Sequence, residues 1–371
     1  MARHPYQELD DLHFWSRVVT PVAFHSLDPV RTAKFHVGPD DKVATMGSCF
    51  AQHLSRFLSR SGLNYFVTEG GDEALGEEER ALRNYGTFSA RYGNVYTVRQ
   101  AVQLVERVYS RRWRRREEVW RRGDRYVDSL RPQVEPAGFP SEEELRADRA
   151  AHLLAVRRVF EESDVLVFTL GLTEGWRSRH SGLVFPVVPG ASGGEYRAAD
   201  YEFVNFGAAE VTADLHRFVR ELRKVNPQLK VLLTVSPVPL IATYTDQHVL
   251  PATVYSKAVL RVAAAEVSAA YGHVDYFPSY EIVTSTSSGG RYFADDLRSI
   301  TDEGVSHVMR VFKRHYLDGE GGATSSPAAQ SLRREIAAVR EIICDEEVLD
   351  AEPPNSASAA ALGELAADAE R

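Results

Sequence analysis

Two apolar runs constrain this chain more than anything else in it. Val165-Leu-Val-Phe-Thr-Leu170 and Val231-Leu-Leu-Thr-Val235 carry almost no polar residue. Runs of this length without polar alternation read as strands buried on both faces, as in a parallel sheet covered by helices. The stretches around them have helical period. Val211 to Val225 reads as a helix that stops at Asn226-Pro227, because the residue before a proline is pushed out of the helical region. Val254 to Tyr271 reads as a second helix, His273-Val-Asp-Tyr-Phe277 as a last strand, and Thr301 to Tyr316 as a last helix. Upstream, Lys42 to Met46 reads as a short strand running into Gly47. Phe50, Leu54, Phe57 and Leu58 then share one face of a helix that begins at Ser48. Asn64 to Val67 reads as another short strand and Val95 to Val108 as a helix. Ser141-Glu-Glu-Glu144 is a capped helix start whose helix runs through Arg158.

Strand and helix alternate, and connections of this length imply parallel strands with right-handed crossovers. The expected fold is α/β, a three-layer α/β/α doubly wound parallel sheet with helical insertions. Ligands of such sheets sit beyond the carboxyl ends of the strands. Residues 1–40 are expected to wrap the core. Residues 41–317 form one domain, with a mainly helical insertion at about 70–160. Residues 318–330 make a Gly- and Ser-rich linker and 331–350 a helix. The stripe Leu332, Ile336, Val339, Ile342 and Ile343 on that helix docks back or meets a partner, docking being favoured. Residues 351–371, rich in Ala, Ser, Pro and Glu, are expected to be a disordered tail.

Charge narrows the function. The 371 residues hold 44 Lys and Arg against 52 Asp and Glu, a net charge of −8, which does not suit a nucleic-acid protein. The local exception is Arg111 to Arg125, eight arginines with Trp113 and Trp120 among them. It reads as a phosphate or polyanion patch or, as the net charge favours, a solvated helix face partnered by Glu117 and Glu118. Two cysteines, Cys49 and Cys344, are too few for a disulfide framework and fit a reducing, cytoplasmic setting. No window of about 18 apolar residues suggests a membrane span, and the N-terminus has no signal-peptide core. His36, His152, His180 and His216 are isolated, so no metal is expected, and no cofactor motif is complete. The N-terminal wrap and the tail are candidates for shaping the pocket or holding copies together as a homo-oligomer.

Gly47-Ser48 sits at a strand-to-helix turn. Glycine permits a tight turn, and a serine there has its N–H at the positive end of the helix, where developing negative charge is stabilised. From the local pattern alone, a simple N-cap is the better reading. The longer run Gly47-Ser-Cys-Phe-Ala51 resembles the motif that names the GSCFA family, a branch of the SGNH/GDSL hydrolase-like proteins. Asn84-Tyr-Gly-Thr87, Gly93-Asn-Val-Tyr-Thr97, Asp128-Ser-Leu-Arg-Pro132 and Thr169-Leu-Gly-Leu-Thr-Glu-Gly-Trp176 also resemble its blocks. So do Thr234-Val-Ser-Pro-Val-Pro-Leu240 and Tyr276-Phe-Pro-Ser-Tyr-Glu281, and together the blocks span about residues 40–316.

The resemblance implies a flavodoxin-like fold of SGNH type and acyl chemistry, as an esterase or an O-acyltransferase acting on an acylated carbohydrate or small metabolite. On that template Ser48 matches the nucleophile. Its own N–H, Gly86 and Thr173 would form the oxyanion hole, with Thr173 standing where the superfamily has asparagine. Gly47, Cys49, Asn84, Asn94, Gly171, Glu174 and Ser299 would line the pocket.

The SGNH pattern closes with Asp-x-x-His-Pro, and here the sequence departs from it as Asp296-Leu-Arg-Ser299-Ile300. A serine hydroxyl cannot act as general base near pH 7, and without a base Ser48 is a weak nucleophile. Three ways out exist. Another histidine reaches Ser48, with His248 in the loop after the second apolar run as first choice, ahead of His53 and His307. Or a carboxylate, Glu174 or Asp296, acts through a water. Or the chemistry is lost, leaving a module that binds a glycan, a small ligand or a partner protein. The expected catalytic set is Ser48, Asp296 and His248. Cys49 would have a lowered pKa at a helix N-terminus and would be an alternative nucleophile or redox-sensitive, but it is expected to be packed inside.

Overall fold

The apolar runs become the middle of a parallel sheet. The computed structural model describes residues 4–72, 74–110, 117–317, 342 and 344–349. Their strands are β1 (Val43–Gly47), β2 (Val119–Arg122), β3 (Arg125–Asp128), β4 (Val165–Leu170), β5 (Glu174–Ser178), β6 (Val184–Phe185), β7 (Tyr201–Asn205), β8 (Lys230–Val235) and β9 (Val274–Tyr276). The main sheet has the order β1-β4-β8-β9, parallel throughout, with Gly47 opposite Thr169 and Thr169 opposite Thr234. Tyr65 bridges Val43 on the outer side of β1, where the sequence predicts a short strand. The chain therefore winds first to one side of β1 and then across to β4 on its other side. The gap between the carboxyl ends of β1 and β4 is the switch point at which such sheets hold ligands.

Side chains of each central strand alternate between two cores. Leu166, Phe168 and Leu170 of β4 join one, and Val165 and Val167 the other. The first core is roofed by α2 (Val98–Tyr109), α3 (Glu142–Glu162), α4 (Ala208–Val225) and α5 (Val249–Ala270). The second is roofed by α1 (Ala51–Arg60) and α6 (Asp302–Phe312). Both sheet faces are covered, which is why the central strands show no polar alternation. The fold is α/β, with three layers. Thr97, Ser141 and Thr301 cap α2, α3 and α6 through side-chain oxygens that accept backbone N–H groups.

Two features depart from the sequence reading. Arg121, Arg122 and Arg125 lie on the β2–β3 hairpin and not on a helix face. These strands are four residues each and too polar to show a period of two. Their guanidiniums turn onto their own neighbourhood. Arg121 stacks on Tyr126, Arg125 donates to the Gly138 carbonyl and Arg122 to that of Pro136. The insertion before α3 is thus only partly helical. Likewise, β6-β5-β7 form an antiparallel sheet in a region where the sequence suggests no strand.

The hairpin is held by buried charge. Asp128, 1% exposed, accepts from Arg131 Nε (2.9 Å) and Arg149 Nη2 (2.6 Å). Arg131 Nη2 also donates to Asp148 (2.6 Å), and Arg91 donates to Asp148 and Glu135 (2.8 Å each). This network ties β3 to α3, so the block beginning at Asp128 works in folding. The linker, the tail, Arg111, Arg112, Trp113, Arg114, Arg115, Arg116 and four of the five stripe residues, Leu332, Ile336, Val339 and Ile343, lie outside the described residues. Among the described residues no helix is long and apolar enough to cross a membrane.

Candidate functional site

The turn after β1 leaves no room for a side chain at Gly47. Its φ is +134°, and a Cβ there would lie 2.2 Å from the Thr169 carbonyl oxygen. Four backbone hydrogen bonds hold the turn and the segments beside it. Ser48 N–H donates to Thr169 O (3.1 Å), Val95 N–H donates to Gly47 O (2.8 Å), and Gly171 and Leu172 N–H both donate to Tyr96 O (3.2 and 2.9 Å). Residues 94–96 therefore sit in the switch-point crevice. Gly171 has to be small as well, since a Cβ on it would lie 2.8 Å from Ser48 Cβ.

The Ser48 side chain is 2% exposed, and its hydroxyl has no hydrogen-bond partner among the described residues. The Thr173 hydroxyl, just past β4, is also buried and unpartnered, while its N–H donates to Ser256 Oγ (3.1 Å). Leaving a buried polar group unpaired costs about 1–3 kcal/mol.

Lys257 on α5 donates from Nζ to the Gly171 carbonyl (2.8 Å). Burial lowers its pKa to about 8, against the opposing pull of Glu346. In the sequence it falls on the face of α5 that carries Leu260 and Ala264, and a lysine at such a core position is the signal that reveals it. Arg298 is the other cation here. It lies between the exposed Asp296 and Ser299 but points inward, 3.8 Å from Glu346 and 3.9 Å from Glu347.

Those acids belong to a turn from the far end of the chain. Asp345–Leu349 forms a 3-10 turn seated over the crevice. Asp345 N–H donates to Tyr96 Oη (3.0 Å), and Asn94 Nδ2 donates to Asp345 Oδ2 (2.8 Å). Asn94 Oδ1 accepts from Gln52 on α1 (3.3 Å). Burial pushes the pKa of Asp345 up to about 6 and that of Glu346 up to about 7.

The residues named from the sequence are only partly assembled. Ser48, Gly47, Gly171, Asn94, Cys49 and Thr173 gather around the crevice. Of the three oxyanion donors expected from the sequence, the Ser48 N–H is occupied by Thr169 O. Gly86 is on an exposed turn, and no hydrogen bond ties it to the Ser48 turn. Asn84, next to it, spends its amide on Gln133 O (2.8 Å).

His248 is exposed and caps α5, its Nδ1 accepting from Leu250 N–H (3.1 Å), so it does not hydrogen-bond to Ser48. His53 packs against Phe50, and burial, then Arg56, lower its pKa to about 3. His307 donates from Nε2 to Leu27 O (2.7 Å), so its Nδ1 accepts from Tyr292 Oη (2.6 Å), and both ring nitrogens are engaged. Asp296 Oδ2 accepts from Ser299 Oγ (2.5 Å).

Glu174 accepts from Thr243 Oγ1 (2.7 Å) and Tyr244 N–H (3.3 Å), and burial raises its pKa. The loop it holds brings Tyr244 to 4.8 Å from Trp176, ring to ring, with Phe203 and Tyr196 packed on the same indole. Tyr196 and Tyr244 are exposed, so the cluster has an open aromatic edge. Among the described residues no group of three or more His, Cys, Asp or Glu is placed to hold a metal ion.

Compared with known proteins, residues 42–312 match the model of the GSCFA family. No curated protein matches the chain.

Proposed function

The chain belongs to the GSCFA family, and from that premise we propose that it carries out acyl-ester chemistry of the SGNH type, as an esterase or O-acyltransferase with Ser48 as nucleophile. The observation that carries the reading is the Ser48 hydroxyl, buried and unpartnered on a strand-to-helix turn at the switch point of the sheet. A hydroxyl kept unpaired there is free to receive a substrate.

Lys257 takes the role of the missing base. Its Nζ is bonded to the carbonyl of Gly171, whose Cα packs on Ser48. A pKa of about 8 leaves a useful neutral fraction near neutral pH. In acylation Ser48 Oγ attacks the ester carbonyl and its proton passes to Lys257 Nζ. The tetrahedral oxyanion is met by the Thr173 hydroxyl and the positive end of α1. Collapse breaks the bond to the alcohol, which leaves with the proton held by Lys257. Water or an acceptor hydroxyl then takes the acyl group by the same route in reverse. The aromatic edge at Trp176, Tyr196 and Tyr244 suits the apolar face of a sugar ring, which favours an acylated carbohydrate as substrate.

A second reading is favoured by Ser299, which closes onto Asp296, and by the engaged Ser48 N–H. Under it the crevice binds a glycan, a small ligand or a partner protein without turnover.

Fluorophosphonate labelling of the reduced protein, followed by intact mass, separates the two. Acyl chemistry gives one adduct, lost in Ser48→Ala and slowed on the order of 100-fold or more in Lys257→Met. Lys257→Arg should not restore the rate, because a guanidinium does not give up its proton. His248→Ala should label like the parent. Folded parent protein that takes no label supports the binding module.

A further inference from the structure

The chain has two cysteines, and they meet at the crevice. Cys49 follows Ser48 directly, and Cys344 immediately precedes the turn seated on the site. They are 4% and 8% exposed, and the Cys344 thiol is hydrogen-bonded to that of Cys49. Arg298 faces both thiols, and Lys257 faces Cys49. In the seated turn the hydrogen bond to Cys49 and burial hold the Cys344 thiol well above its ordinary range, against the smaller pull of Arg298, so it becomes reactive in exchange once it leaves the crevice. The acyl mechanism uses neither sulfur.

We propose that Cys49 and Cys344 are a redox pair whose disulfide clamps the acidic turn Asp345–Leu349 over the Ser48 crevice and shuts it. In the reduced protein the turn is held by the Asn94 and Tyr96 hydrogen bonds to Asp345 and by the longer contacts of Arg298 with Glu346 and Glu347. None of these is covalent, and the redox step works through a turn that lifts and reseats. Cys344 travels with it and is the thiol that a small-molecule disulfide reaches first.

The Cys344 thiolate attacks that disulfide, forming a mixed disulfide and releasing one small thiolate, which takes up a proton. Reseating brings the mixed disulfide onto Cys49, whose thiolate displaces the second small thiolate and closes the protein bond. Two protein thiols are oxidised and one small disulfide is reduced to two thiols. The closed bond makes reseating intramolecular and lasting, so the crevice stays covered. The pairing stands on its own, and only its effect on catalysis rests on the acyl-transfer reading.

The test equilibrates full-length protein with graded mixtures of oxidised and reduced glutathione, quenches by alkylation, and reads intact mass and linked peptides. The expected product is about 2 Da lighter than the reduced protein, blocks alkylation of both cysteines, and yields a peptide pair joining Cys49 to Cys344. Cys49→Ser and Cys344→Ser should each lose the link and carry one glutathione on the remaining cysteine. Cys344→Ala repeats the second variant without a polar atom. Two separate glutathione adducts, two free thiols throughout, or a link only between molecules would overturn the pairing.

Fluorophosphonate labelling of the same samples tests the clamp. It should slow at least about tenfold on oxidation and recover with dithiothreitol, and it should not slow in Cys49→Ser, whose glutathione adduct sits on the turn and keeps it from reseating. A mapped link with unchanged labelling would sink the clamp and leave Ser48 chemistry intact. A reduced protein that never labels would sink the acyl reading, while the peptide map still decides the pairing.

Discussion

Asp128→Ala should cost about 3–5 kcal/mol of unfolding free energy, and urea unfolding at neutral pH measures it. The carboxylate is 1% exposed and accepts from two guanidiniums that are themselves buried, Arg131 and Arg149. Burial alone would raise its pKa, but Arg149 and Arg131 hold it well below the usual carboxylate range. Removing it leaves two cations without their shared counter-charge, and that desolvated charge, more than the lost hydrogen bonds, sets the size of the effect. Asp128→Asn keeps the shape and one acceptor, so it should fall between parent and alanine. The pH dependence has a fixed sign. A depressed folded pKa contributes stability above the unfolded value near 4, and that contribution is lost as pH falls towards the folded value. The parent should therefore weaken in acid over a range in which Asp128→Ala changes less. A loss below about 1 kcal/mol at unchanged urea dependence would mean that water reaches the network.

That network also explains what the sequence hid. The central strands are legible because burial on both faces removes polar alternation, and the Ser48 turn because only glycine fits before it. The β2–β3 hairpin is not legible in this way. Its four-residue strands carry arginines, and part of their support comes from Asp128 binding Arg149 of a helix that starts fourteen residues later. No local pattern records such a partner. The stretches around Gly86 and at Gly93-Asn94 both resemble family blocks as letters. The hydrogen bonds from Val95 to Gly47 and from Gln52 to Asn94 select the second as the neighbour of Ser48. Lys257 was visible as a cation on an apolar helix face, but its bond to Gly171 is a property of the folded sheet end. Arg298 had no signal, because nothing in Asp296-Leu-Arg-Ser299 shows which way its side chain turns. The docking expected of the C-terminal stripe names residues mostly outside those described, whereas the acidic turn just beyond them is what sits on the crevice.

Raising the pH should loosen that turn. In the seated turn burial pushes Glu346 up to about 7 and Asp345 up to about 6. Arg298, Lys257, Asp345 and Glu174 all face Glu346, and the two cations offset burial only in part. Asn94 and Glu347 face Asp345. Once lifted into water, both carboxyls return to ordinary values near 4. Seating therefore takes up protons. Its contribution is complete below about pH 4, falls as pH rises, and is gone once pH passes the seated values of 6 to 7. A shift of this size corresponds to on the order of 3 kcal/mol per carboxyl, or about a hundredfold in the seating equilibrium. Amide exchange across residues 345–349 of the reduced protein, corrected for intrinsic rate, measures it between pH 5 and 8. Protection should fall steeply over that range, and Glu346→Gln should flatten the fall, since an amide has no proton to lose. Protection that holds or rises with pH would show the carboxylates already hydrated in the seated turn. Labelling of Ser48 should rise in parallel with the loss of protection, ahead of the separate rise near pH 8 that reports Lys257 losing its proton. A single rise near 8 would leave Lys257 as the only group controlling the site and make the turn a bystander.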